Sequence, residues 1–313
     1  MATSGSYNFA ITRDQLISLA HQHVGLTGEG ESPTTSQVTE AALLLNMLMK
    51  FWAADGMPLW SLKRGIILPF TGSNQITTAS HVVTAYDTTT LAADEAAAQT
   101  ALTVTSITGF SASDQLGIEL DDGTIQWTTI NGAPSGTTIT ATTGLTSAAS
   151  SGNRVFGYTA SSERIEAKPL RVFELKVLNL DSNSGHEINQ VARGDFYRNG
   201  DLTSTSIPNQ VYYDPAIDSG TFNVYPRFEG GDNLLQFTYH RPFQDFDASS
   251  DNPDCPQEFY LPLMVGLASL LGPKAGLPVE ERASLMKEAL FYKMAALETI
   301  AAEGSLFFGK EDA

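Results

Sequence analysis

Residues 34–62, TTSQVTEAALLLNMLMKFWAADGMPLWSL, constrain the fold more than any other stretch of the chain. Val38, Ala41, Ala42, Leu45, Leu48, Met49 and Trp52 follow the i, i+3, i+4, i+7 spacing of one helical face. Leu44, Met47 and Phe51 add a second stripe beside it, so the apolar arc is wider than one neighbour requires. Such a helix either lies at the centre of its domain or faces a partner chain. Thr34 and Gln37 have the spacing of a capping box, Gly56 suits a left-handed C′ position, and Pro58 forbids continuation.

Three further helices are legible. Residues 12–24 carry a capping box at Thr12 and Gln15 and a hydrophobic staple at Ile11 and Leu16, and Gly25 ends the run. Residues 257–271 are apolar and helical in spacing, with Pro262 either near the start or kinking the helix. A last helix begins at Pro278, with Glu280 and Glu281 in the first turn, where the dipole favours acids. It carries two stripes: Ala283, Met286, Leu290, Met294, Leu297 and Ile300, and beside them Leu285, Ala289, Tyr292 and Ala296. Beyond it, Leu306, Phe307 and Phe308 form an apolar tail that invites a partner surface.

Between the helical ends the sequence turns to β. Residues 64–70 and 75–86 contain β-rich runs, and residues 170–180, LRVFELKVLNL, read as a strand. Residues 209–213, 221–225 and 234–240, separated by the turns DPAIDSG and EGGD, predict a β-meander. Its aromatics Tyr212, Tyr213, Phe222 and Tyr225 are read as a packed sheet face, since no basic residues are interleaved to hold a nucleic acid. Residues 86–158 change character: they are rich in Thr, Ser, Ala and Gly, and Arg154 is their one basic residue. The turn Asp121-Asp122-Gly123 marks a hairpin inside them, with Ile118, Leu120, Ile125 and Trp127 as core candidates. The expected fold is therefore α+β: a helical-bundle core from the N- and C-terminal helices, a β-meander, and a separate inserted all-β domain. The domains are expected at 1–85 with 159–313 for the body and 86–158 for the insert.

Signatures of chemistry are missing from this sequence. It has no G-x-S-x-G elbow, no H-E-x-x-H and no P-loop, and His21 and His23 lie two apart, off a common helical face. The loop DSNSGHE begins like a calcium loop but places Gly185 and Ala192 where ligands belong. One cysteine, Cys255, permits neither an intrachain disulfide nor a cysteine-rich metal site. The expectation is no catalytic residue, no cofactor, no metal and no enzymatic activity. Eighteen Lys and Arg against 35 Asp and Glu leave a net charge of −17, which opposes sequence-independent binding of nucleic acid. No apolar run has the roughly 20 residues of a membrane span.

Several segments in order carry a family resemblance: LNMLMKFWAADGMPLWSLKRGIILP at 45–69, KPLRV at 168–172, IPNQVYYDP at 207–215, GTFNVYP at 220–226, YHRPFQDFD at 239–247 and NPDCPQEFYLPLMVGLASLL at 252–271. Together they resemble the head-to-tail adaptor (connector) proteins of tailed bacteriophages, in particular the P22-type tail accessory family. The most specific pieces are Trp52, Asp55, Gly56, Pro58 and Trp60, and the element Tyr212, Tyr213, Asp214, Pro215. The motifs lie on both sides of residues 86–158, which interrupt the pattern.

The resemblance implies a structural virion protein of the neck, assembled in the host cytoplasm. Such a protein forms a homo-oligomeric ring, expected to be twelve-fold, that docks under the portal protein after DNA packaging. The ring extends the DNA channel and offers an attachment platform to tail tube, nozzle or fibre proteins; genomic DNA passes without specific binding, and no membrane is involved. The portal and subunit interface is expected at Leu285, Met286, Leu290, Met294, Leu297, Leu306, Phe307 and Phe308. Trp52 and Trp60 are expected where the helical core meets the β part. Two alternatives stand beside this reading: a peptidoglycan-degrading virion enzyme, motivated by the many carboxylates, and a β insert that docks fibres or receptors.

Overall fold

The computed structural model describes residues 5–55, 59–165, 168–217 and 219–300 of the 313. In chain order, α1 (Arg13–His23) and α2 (Thr35–Asp55) lead into β1 (Leu62–Ile67), β2 (Gln75–Thr77) and β3 (Val82–Val83). Then come β4 (Asp87–Thr90), β5 (Ala101–Thr103), β6 (Gln115–Glu119), β7 (Ile125–Thr129), β8 (Thr138–Thr140) and β9 (Arg154–Tyr158). These are followed by β10 (Arg171–Asn179), β11 (Ser184–Glu187), β12 (Asn189–Gln190), the single turn α3 (Arg193–Phe196), β13 (Gln210–Pro215), β14 (Gly220–Tyr225) and β15 (Asn233–His240). The chain returns to helix in α4 (Tyr260–Leu271) and α5 (Val279–Ile300). It divides into a helical unit, Met1–Ser61 with Pro242–Ala313, and a β unit, Leu62–Arg241.

In the helical unit the local signals act as the sequence expects. Thr12 and Gln15 close a full capping box on α1, and Thr34 and Gln37 do the same at the start of α2. The most apolar helix, α4, buries Leu263, Val265, Leu267, Ala268 and Leu271. It packs against α1, α2 and α5. Gly266 lets α2 come close, since a Cβ there would lie 3.0 Å from Leu48. Pro262 is the third residue of α4, inside the first turn, where backbone N–H groups have no helical partner and its ring is tolerated.

The β unit is built on a five-stranded antiparallel sheet of order β11-β10-β15-β1-β3. Its strands alternate between two cores. Ile67, Val82, Val177, Leu235 and Phe237 face a core shared with Ile76, Val211, Phe222 and Val224 of the mixed sheet β12-β13-β14-β2. Their immediate neighbours Ile66, Leu68, Val83 and Leu234 face the opposite way, into a core completed by Phe156 and Tyr158 of β9. Phe237 lies directly over its cross-strand partner Gly65, where a Cβ would come within 2.3 Å of the ring.

Residues 87–158 carry their own four-stranded sheet, β4-β9-β6-β7, and the pair β5-β8, closed over Leu102, Val104, Leu116, Ile118, Ile139 and Val155. The expected hairpin at Asp121-Asp122-Gly123 joins β6 to β7, with Gly123 at φ +77°. Polar ties fasten this subdomain to the first sheet's surroundings. Trp127 Nε1 donates to Pro69 O at 3.2 Å, the Gly231 N–H donates to Glu119 Oε1 at 2.8 Å, and Arg154 pairs with Asp232 at 3.2 Å and with Asp181.

Two parts of the expected fold class are corrected. Among the described residues fifteen strands form four sheets and only about a quarter of the chain is helical, so the protein is mostly β and lacks a helical-bundle core with a minor β addition. Long striped helices advertise themselves, whereas strands buried on both faces show unbroken apolar runs such as GIIL, VV and LL that carry no period. The meander is also broken. β13 and β14 form a hairpin, but β14's other neighbour is β2, while β15 crosses to lie between β10 and β1. Leu234 and Leu235 give β15 two apolar faces, which suits the middle of a covered sheet and not the edge of a meander.

Candidate partner-binding surface

The helical spacing sets which side chains of α2 reach water. Ala41, Ala42, Leu45, Met49 and Trp52 turn into the core of the helical unit. Leu43, Met47 and Phe51, at i, i+4 and i+8, stand outward as one ridge. On α5 the same division appears: Ala289, Lys293 and Ala296 are buried, while Met286, Leu290 and Met294 form an i, i+4, i+8 ridge with Phe291 beside it. All seven outward side chains are 51–67% exposed. Two open grooves of about 540 Å³ and 460 Å³ flank α1, one walled by Phe9, Ile11 and Leu19, the other by Val38, Ala42, Leu43 and Phe246.

The magnitudes limit what one ridge contributes alone. Completing the burial of a half-exposed large apolar side chain contributes about 1 kcal/mol. A ridge of three or four therefore falls short of the roughly 4–15 kcal/mol that association costs. The two ridges together, three side chains on α2 and four on α5, reach the lower part of that range.

Of the expected interface residues, Met286, Leu290 and Met294 lie on the exposed ridge, whereas Leu285 and Leu297 are half-buried against the unit's own core. Leu306, Phe307 and Phe308 lie outside the described residues. Leu43 and Phe291 belong to the exposed set without having been expected there. Each extends a pattern already visible, Leu43 standing four residues before Met47 and Phe291 following Leu290.

The motif residues have structural surroundings. Trp52 is buried in the helical unit with the Lys293 ammonium 5.2 Å from its ring centre, a cation–π contact. Trp60 stacks on Phe243 at 5.7 Å, meets Phe259 at 4.6 Å and donates through Nε1 to Asp254 O. Both tryptophans thus pack within the helical unit's own core. Asp55 is the last residue of α2, and Gly56 and Pro58 lie outside the described residues. Tyr212, Tyr213, Asp214 and Pro215 all lie on β13. Tyr213 donates its hydroxyl to Pro169 O at 2.7 Å and covers Gly220 in the facing strand, where a Cβ would collide with it. Burial, helped by the neighbouring Asp214 carboxylate, pushes that phenol well above its ordinary value.

Reactive groups are subdued. Burial pushes the Cys255 thiol up to about 12, with Asp254 and Glu258 adding to the effect, so it is no nucleophile at neutral pH. Among the described residues no cluster of three His, Cys, Asp or Glu is placed to hold a metal, and no helix is long and apolar enough to cross a membrane. No protein-family model matches the chain, and no curated protein matches it significantly.

Proposed function

We propose that this protein is a ring-forming head-to-tail adaptor of a tailed-phage virion. It docks under the portal after packaging, extends the DNA channel and gives the tail its platform. The observation that carries the reading is the pair of unlike apolar ridges on one chain, Leu43, Met47 and Phe51 on α2 and Met286, Leu290 and Met294 on α5. Two different patches suit a heterologous contact, α2 of one copy against α5 of the next, and a heterologous contact that closes makes a ring. The ordered segments that resemble the tail accessory family support the same role, as does a net charge of −17, which opposes adhesion of passing DNA.

The test is sedimentation of the purified chain, alone and mixed with the portal ring of its own virus. Monomer or weak association alone, and a defined ring complex with the portal, are the expected outcomes. Failure to co-sediment with that portal overturns the proposal.

A further inference from the structure

The β unit holds a trough of about 410 Å³ between the 87–158 subdomain and the loop after β2, well within the roughly 300–1,000 Å³ of small-molecule sites. Its walls include His81, Trp127, Tyr158, Gln115, Arg164 and a set of threonines. In a chain with 35 acidic residues, no carboxylate lines it among the described residues, and no aliphatic side chain larger than alanine does either. Among the described residues Arg164 is its one cation, held in place by donating to Ala79 O at 2.9 Å.

The threonines are paired across the trough wall. Thr143 Oγ1 donates to Thr128 Oγ1 at 2.8 Å, which leaves the Thr128 O–H to donate elsewhere; Thr129 and Thr142 also bond at 2.8 Å, and with the Thr142 hydroxyl donating to Thr129 O at 2.9 Å that pair keeps acceptor sites. Each hydroxyl has one donor and two acceptor sites, so each pair keeps unused capacity on fixed oxygens. His81 adds two departures from ordinary structure. It adopts a left-handed backbone, φ +59°, and its Nδ1 is buried with no protein partner while the ring stacks between Phe70 at 5.0 Å and Trp127 at 4.1 Å. Strain of this kind, about 1–3 kcal/mol, persists where the surroundings hold it and concentrates at binding sites.

The lining discriminates among ligand classes. A nucleotide or other polyanion needs several cations, and the trough offers one. An acyl chain or apolar peptide needs aliphatic walls, and these are absent from the lining described. What remains is a ligand that presents many hydroxyls, an apolar ring face for the tryptophan edge and at most one negative charge. We propose that this trough binds a short saccharide of one or two rings. The inference stands on the β unit and does not depend on ring assembly.

The experiment uses the full chain with three probes, N,N′-diacetylchitobiose, lactose and a hyaluronan disaccharide, and with ATP as the polyanion contrast. Saturation-transfer NMR and the shift of the Trp127 indole N–H report binding. At least one sugar is expected to bind with a Kd on the order of 1 mM. Arg164→Gln or Thr143→Val is expected to weaken that binding about tenfold or more with the melting temperature unchanged. Both side chains are at the trough surface, and should a variant fold poorly the Trp127 indole shift in the unaltered chain decides. Absence of transfer from all three sugars, binding of ATP in their place, or sugar binding that leaves the Trp127 indole unmoved and survives both substitutions overturns the proposal.

Discussion

In the helical unit, α2 and α5 each bury one stripe and leave a second ridge of large apolar side chains in water. In the β unit, β1, β3 and β15 also present apolar residues on two faces, yet both are covered from within the same chain, one by the mixed sheet and the other by β9. The same excess of hydrophobic surface has been resolved internally in one place and left open in the other. Residues 87–158 make the difference, because Phe156 and Tyr158 supply the cover that Ile66, Leu68, Val83 and Leu234 require. Nothing equivalent covers the ridges of α2 and α5 among the described residues.

The contrast can be broken most severely at Phe237, which lies in the covered sheet. Phe237→Ala removes a ring that packs on Phe222 at 4.7 Å and over Gly65, and about 3–5 kcal/mol of unfolding free energy is expected to go with it. Urea denaturation followed by aromatic circular dichroism checks the loss; a change under 1 kcal/mol would show that the double-covered core is loosely packed.

A second effect of similar size is set by pH. Burial lowers His81 from 6.5 to about 4, so the folded state holds the neutral ring. Its contribution is whole above 6.5, where the unfolded imidazole is also neutral. It is lost as pH falls towards 4, because the unfolded state takes up the proton first. The loss amounts to about 3 kcal/mol at roughly 1.4 kcal/mol per pH unit. Asp121 is held below its ordinary 3.8 chiefly by the Ser150 N–H, Asp122 by the Thr124 hydroxyl and Asp201 by the Thr203 hydroxyl. These carboxylates keep their contribution until the pH falls through their lowered values, below the histidine window. His81→Asn tolerates the left-handed backbone and is expected to reduce the slope of the stability profile between 6.5 and 4, leaving the share of His240, which burial also lowers. An unchanged slope in that variant would place the pH dependence elsewhere.

A smaller effect is expected at Arg154, the lone basic residue of residues 86–158. Its guanidinium is largely buried against Asp181 and Asp232, and Arg154→Ala is expected to cost about 1–2 kcal/mol, less at high salt. Limited proteolysis near the linkers of the subdomain should quicken by a matching factor; salt-independent behaviour would argue against an ionic latch.

The ridges should give the smallest change in stability and the largest change in assembly. Met47→Glu with Leu290→Glu alters side chains already more than half in water, so unfolding is expected to shift by about 0.5 kcal/mol or less. Portal-dependent ring formation, read by sedimentation, is expected to disappear. A fold lost in the double variant would mean the ridges belong to the unit's own core, and the contrast between the two units would fail.

Much of the helical unit could be read from residues in order. Capping pairs Thr12/Gln15 and Thr34/Gln37 act through bonds three residues apart, and stripes on α2 and α5 follow from 3.6 residues per turn. The hairpin at Asp121-Asp122-Gly123 was equally local. The β pairing was not: Gly65 opposite Phe237 and Phe222 opposite Ile76 join residues far apart in sequence, and no short-range signal specifies them. The trough is not legible in the sequence for the same reason, since His81, Trp127 and Arg164 meet only after the 87–158 subdomain folds back.

The sequence by itself determined where helices start and stop, which of their faces are apolar, and that residues 86–158 differ in kind. These are consequences of backbone bonds and side-chain periodicity within a few residues. Tertiary structure alone decided which of two apolar stripes is buried and which stays in water, and that β15 leaves its hairpin neighbours for the centre of another sheet. An apolar side chain gains equally from any dry surface, so its identity states the need for burial without naming the surface that meets it.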